Sequence, residues 1–167
     1  MKDNANLRKW SALLIAIIAY FIIHEGSHAL AAMAYGAFEK IHLLGLGVQV
    51  VAKTELLTDF QVAIFCLVGS LGTLLSAYLL VALTKHIVKA SSKLFKAIGY
   101  YTTFALLLID PLYLAFLYKF VGGGDMNGIL LLGLPEIWLQ IIYGAIALFN
   151  ILRLWRIVYP AYKKAFA

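Results

Sequence analysis

The chain has 167 residues, of which 63% are hydrophobic and only 13% charged, with a formal net charge of +6. A water-soluble domain of this size carries about a quarter charged residues, so the composition excludes an ordinary soluble enzyme and indicates a polytopic membrane protein. The basic residues cluster at the ends of apolar runs, where they set membrane topology, so the positive charge argues for no nucleic-acid partner.

Crossing a hydrocarbon core takes roughly 20 apolar residues, and four segments reach that length. The first runs from about Trp10 to Tyr35 and is too long for the apolar core of a cleaved signal peptide. The second runs from about Thr58 to Thr84, with Thr58-Asp59 as its N-terminal cap. The third spans about Leu94 to Phe120, and Asp110-Pro111 predicts a kink or break within it. The fourth spans about Ile129 to Tyr159, with an irregular approach at Pro135-Glu136. Between the first two lies GAFEKIHLLGLGVQVVAKTE, residues 36–55. Its glycines and β-branched Val48, Val50 and Val51 disfavour helix and predict a short β-hairpin, with a turn or bulge near Gly45 and Gly47. The expected fold is therefore all-α, with about four transmembrane helices and one hairpin, in a single membrane-embedded domain over 1–167.

Lys2, Arg8 and Lys9, then Lys85, Lys89, Lys93 and Lys96, then Arg153, Arg156, Lys163 and Lys164 fall on one side of this topology. The other side has only Lys40, Lys53 and Lys119. Both termini are thus expected in the cytoplasm of a multi-pass protein of the cell membrane. The single cysteine, Cys66, lies in an apolar run and is assigned to packing.

The first segment is interrupted by His24-Glu25-Gly26-Ser27-His28. Histidines four apart share one helix face, so both can bind one metal ion, and the adjacent glutamate can act as general base. Ionisable groups are expensive at membrane depth and rarely lie there without a task. His42 is expected on an interfacial strand, His86 in the basic loop, Glu39 and Glu55 in water, and Glu136 in the first turn of a helix.

HEGSHALAAMAYG, residues 24–36, resembles the metal-binding helix of the site-2 protease family, the intramembrane zinc metalloproteases. GAFEKIHLLGLGV has the layout of that family's following strand and G-x-G turn. LVGSLGTLLSA, residues 67–77, is similar to its G-P-x-x-N stretch, with Gly69 in place, Ser70 for proline and Thr73 for asparagine. GGGDMNGIL, residues 122–130, resembles the glycine-rich break that carries the last metal ligand. The resemblance covers most of Phe21 to Leu130. It implies Zn²⁺ held by His24, His28 and Asp125, with Glu25 as the catalytic base and Thr73 near the substrate. It implies a transmembrane protein or peptide as substrate, the hairpin receiving its unwound segment, and the lipid bilayer as surroundings.

The residues themselves offer two third ligands. Asp110 lies 14 residues after Lys96, as His24 lies 15 after Lys9. At about 1.5 Å per residue both sit near the same depth. Asp125 has three preceding glycines that let the backbone fold inward, and Asp125 is preferred. Asp110 is then a partner of the hairpin, of the substrate or of the kink. A competing reading is a non-catalytic metal-binding membrane protein, a sensor or assembly factor, that uses the same histidines and leaves Glu25 idle. By the charge rule HEGSH lies in the membrane half away from the cytoplasm, whereas the family resemblance places it nearer the cytoplasm.

Overall fold

A computed structural model describes residues 4–44 and 47–167 of the chain. Four helical spans are long and apolar enough to cross a membrane, at 5–34, 59–87, 93–117 and 136–166. Large side chains such as Ile22, Leu30, Leu75, Leu79, Phe116 and Leu148 point outward, as a lipid-facing surface requires. The chain is a four-span helical membrane protein with one hairpin.

Helix α1 covers Ala5–Ala34, starting earlier than expected because Asn4 caps it. Its side chain accepts the Asn6 and Leu7 N–H groups at 3.1 and 3.2 Å. Strands β1 (Phe38–Leu44) and β2 (Gly47–Ala52) pair antiparallel, with Ile41 opposite Val50 and His42 opposite Gln49. The bulge falls at Glu39, between the Phe38 and Lys40 pairs. The expected turn at Gly45 lies outside the described residues. Val50 is buried in the same cluster as Ala32 and Phe65, so the hairpin packs into the bundle.

Helix α2 (Asp59–Ile87) opens with a reciprocal capping box. Thr58 N–H donates to Gln61 Oε1 at 2.9 Å and Gln61 N–H to Thr58 Oγ1 at 3.3 Å. Helix α3 (Lys93–Leu112) passes through Pro111 without breaking and then widens into a π-type turn over Tyr113–Leu117. Proline has no N–H for the carbonyl four residues back, here that of Leu107. Asn150 Nδ2 donates to that carbonyl at 2.7 Å instead, and Tyr78 donates to Asn150 Oδ1 at 2.8 Å.

The expected start of the fourth span, Ile129–Pro135, is not part of it. Short helix α4 occupies Gly124–Ile129, a 3₁₀ turn follows at Leu130–Leu132, and the spanning helix α5 starts only at Glu136. Helix α5 (Glu136–Arg153) continues through a π-type turn at Leu154–Val158 into α6 (Tyr159–Phe166), beyond the expected end at Tyr159. Gly122 and Gly123 have φ of +96° and +65°. This left-handed backbone, open to glycine, reverses the chain so that α4 turns inward against α2.

Candidate metal centre

HEGSH lies entirely within α1, so its spacing alone brings the two imidazoles together on one face, ring edge to ring face. The His24 and His28 ring centroids are 4.7 Å apart and their Nε2 atoms 3.1 Å apart. Asp125, in the first turn of α4, reaches them from the far end of the sequence. Its Oδ2 lies 3.2 Å from His24 Nε2 and its Oδ1 3.5 Å from His28 Nε2. His28 is 3% exposed and the Asp125 side chain 19%, so the cluster is shielded yet reachable on its aspartate side.

Each histidine is fixed from its other nitrogen. His28 Nδ1 faces the backbone carbonyl of Phe65 at 2.6 Å. His24 Nδ1 faces Asp110 Oδ2 at 3.2 Å. Both partners are acceptors, so both Nδ1 atoms carry the proton and both Nε2 atoms present lone pairs in the neutral ring. In that state two imidazole lone pairs and a carboxylate converge, a donor set able to take up a cation. Ligands bound at 2.0–2.1 Å in a tetrahedron are separated by about 3.3 Å. The observed 3.1, 3.2 and 3.5 Å separations fit that figure. His24, His28 and Asp125 can therefore hold a metal ion.

Asp110 is level with His24 but lies on the Nδ1 edge of its ring, away from the Nε2 cluster. It is 0% exposed, and both of its oxygens are engaged. Tyr20 donates its hydroxyl proton to Oδ1, and Thr73 donates to Oδ2. A carboxylate behind a metal-binding histidine fixes its tautomer and raises its basicity. Thr73, the expected substrate contact, is 0% exposed and committed to Asp110. Ser70 bonds Tyr143 at 2.8 Å, joining α2 to α5.

Glu25 points to the hairpin, accepting the Val50 N–H at 2.7 Å. An antiparallel strand turns each N–H either to its neighbour or away, and this one turns from β1 toward α1. The free edge of β2 therefore faces the helix that carries the histidines.

Phe65 and Tyr20 had no distinctive signal in the sequence, and Gly69 was marked only by resemblance, with no role attached. Phe65 acts through its carbonyl, which every residue possesses. Tyr20 stacks on His24 at a centroid distance of 5.4 Å, one turn before it. Gly69 provides clearance: a Cβ there would run into the His28 ring and come within 2.8 Å of His24 Cε1. Cys66 is buried among apolar side chains, as expected. His42, His86, Glu39 and Glu55 are exposed and outside the cluster, and Glu136 lies in the first turn of α5 beside Lys119 at 2.6 Å. No protein-family model, curated protein or solved structure matches this chain.

Proposed function

We propose that the chain is an intramembrane zinc endopeptidase that hydrolyses peptide bonds in or near transmembrane segments of other proteins. The observation that carries this reading is the convergence of His24 Nε2, His28 Nε2 and Asp125 within 3.5 Å, beside a glutamate adjacent in sequence. The resemblance of HEGSH and its flanks to the site-2 protease family agrees with it.

His24, His28 and Asp125 would hold the ion, leaving a fourth position open, and two imidazoles with one carboxylate are a donor set suited to zinc. Zinc there would acidify a water to a pKa of about 7 and polarise the scissile carbonyl. Asp110 and the Phe65 carbonyl hold both Nδ1 atoms, which would keep both Nε2 atoms turned to a bound ion. Glu25 takes the proton of the attacking water and returns it to the departing amine, so the base ends unchanged.

A helical substrate has its carbonyls tied up and must unwind before cleavage. An unwound segment can add to the free edge of β2, where main-chain hydrogen bonds hold it. The Val50 N–H is then needed by a substrate carbonyl, and that exchange releases the Glu25 carboxylate for proton transfer. Substrate docking and activation of the base are thus coupled through a single N–H.

The Glu25–Val50 bond also suits a second reading, a non-catalytic metal-binding membrane protein in which Glu25 only anchors the hairpin. Purified protein with Glu25→Gln, tested for bound zinc and for cleavage of transmembrane substrates in proteoliposomes, separates the two. Zinc retained with cleavage abolished supports the protease. Cleavage continuing unchanged in the variant removes the proposed mechanism, and zinc binding without cleavage by either protein favours the second reading.

A further inference from the structure

A cavity lies at the basic end of the bundle, away from the metal centre, where α1 begins, α3 begins and α6 ends. It has a volume of about 490 Å³, and its lining includes Arg8, Lys9 and Lys163 together with Tyr100, Tyr101 and Tyr159. That size is within the roughly 300–1,000 Å³ of small-molecule sites. Among the described residues no aspartate or glutamate side chain lines it.

The walls are braced by contacts among the same elements. Lys96 Nζ donates to the Ala165 carbonyl at 3.0 Å and sits over the Phe166 ring at 5.6 Å, tying α6 to α3. The Arg8 guanidinium lies over the other end of this junction, 5.7 Å from the Phe166 ring centroid, and brings in α1. Tyr162 is buried, with its ring edge-on to Tyr100 at 5.3 Å and its hydroxyl turned toward Gly99. Lys9 and Lys163 are exposed at the rim.

Position and chemistry select the occupant. Trp10 and Trp155, both largely exposed, belong to the same end, and exposed tryptophans mark the membrane–water interface. Cations and phenol hydroxyls suit phosphate oxygens, while Ala97 and the aromatic faces suit a glycerol backbone and the start of acyl chains. Basic pockets between helices on the cytoplasmic side bind anionic headgroups. We infer that this cavity is a binding site for one anionic phospholipid, its headgroup phosphate held by Lys9 and Lys163. The lipid bridges the start of α1, the helix that carries HEGSH, to α3 and α6. The inference is independent of the protease reading.

Native mass spectrometry of the full chain in nonionic detergent, titrated with phosphatidylglycerol or phosphatidylcholine, tests it. The expected result is one retained phosphatidylglycerol per chain in preference to phosphatidylcholine. Affinity should fall about five-fold for each cation removed in Lys9→Ala and Lys163→Ala. Lys85→Ala and Lys89→Ala, on the same side but outside the cavity, should leave retention unchanged, and circular dichroism should show all variants equally helical. Equal retention of phosphatidylcholine, or equal losses from the cavity and the control variants, overturns the site. Displacement of the lipid by millimolar inorganic phosphate assigns the cavity to free phosphate and overturns the lipid.

Discussion

Asn150 on α5 donates to the carbonyl of Leu107 on α3 at 2.7 Å, meeting the acceptor that Pro111 leaves without its helical partner. Asp110 lies between those two residues in sequence, so this contact fixes the stretch of α3 that orients His24. Asn150 is completely buried. Asn150→Leu leaves the carbonyl unsatisfied in an apolar setting, at a cost of about 1–3 kcal/mol. Unfolding in mixed micelles should show that loss, and Leu107 would be no anchor if stability were unchanged.

Asp125 and Asp110 should separate cleanly in a metal assay. On the proposed zinc reading, Asp125→Ala removes a ligand and should abolish stoichiometric zinc. Asp110→Ala removes the partner of His24 Nδ1 and should weaken binding about 10- to 100-fold. Competition with a chelator measures both. Equal loss in the two variants would contradict the proposed roles of Asp125 as ligand and Asp110 as the support of His24.

Gly69 and Gly26 make a matched pair. Gly69→Ala drives a methyl group into the His28 ring and should cost about 1–3 kcal/mol and displace the zinc site. At Gly26 a Cβ meets nothing within 4 Å. Gly26→Ala should be neutral or stabilising by about 0.5–1 kcal/mol. Thermal unfolding and zinc content of the two proteins decide the matter, and similar behaviour would refute the clearance role.

The coupling through Val50 is tested with Val50→Pro beside Val50→Ala. Both lose side-chain packing, and only proline also removes the N–H. On the protease reading, KM for a transmembrane substrate should rise about ten-fold more in the proline variant, in line with the loss of one hydrogen bond. Equal KM values in the two variants would show that the β2 edge does not receive substrate.

Orientation is accessible by labelling. Single cysteines at Lys53 and Lys89 lie in the connections on opposite sides of α2, and native Cys66 is buried. The charge distribution predicts that Lys89→Cys reacts only from the cytoplasm and Lys53→Cys only from outside. The opposite pattern would invert the protein and bring HEGSH to the cytoplasmic half.

What the sequence determined by itself is local or periodic. Apolar runs located the four spans because bilayer thickness sets a minimum length. Thr58-Asp59 announced the start of α2, since an N-cap is read from neighbouring residues, and Gln61 completes the box in the structure. The hairpin followed from Val48, Val50 and Val51 beside glycines, and the meeting of His24 with His28 from a spacing of four in one helix. Tertiary structure decided what depends on rotation about helix axes and on contacts between distant segments. Counting residues placed Asp110 at the level of His24 but could not tell which edge of the ring it meets. Folding puts it at Nδ1 and brings Asp125 to Nε2. The Phe65 carbonyl, the clearance at Gly69 and the bond from Asn150 to Leu107 exist only once α1, α2, α3 and α5 are packed together. Each involves a backbone group, an absent side chain or a partner over 40 residues away, so no sequence pattern, not even the one that includes Gly69, states what it touches.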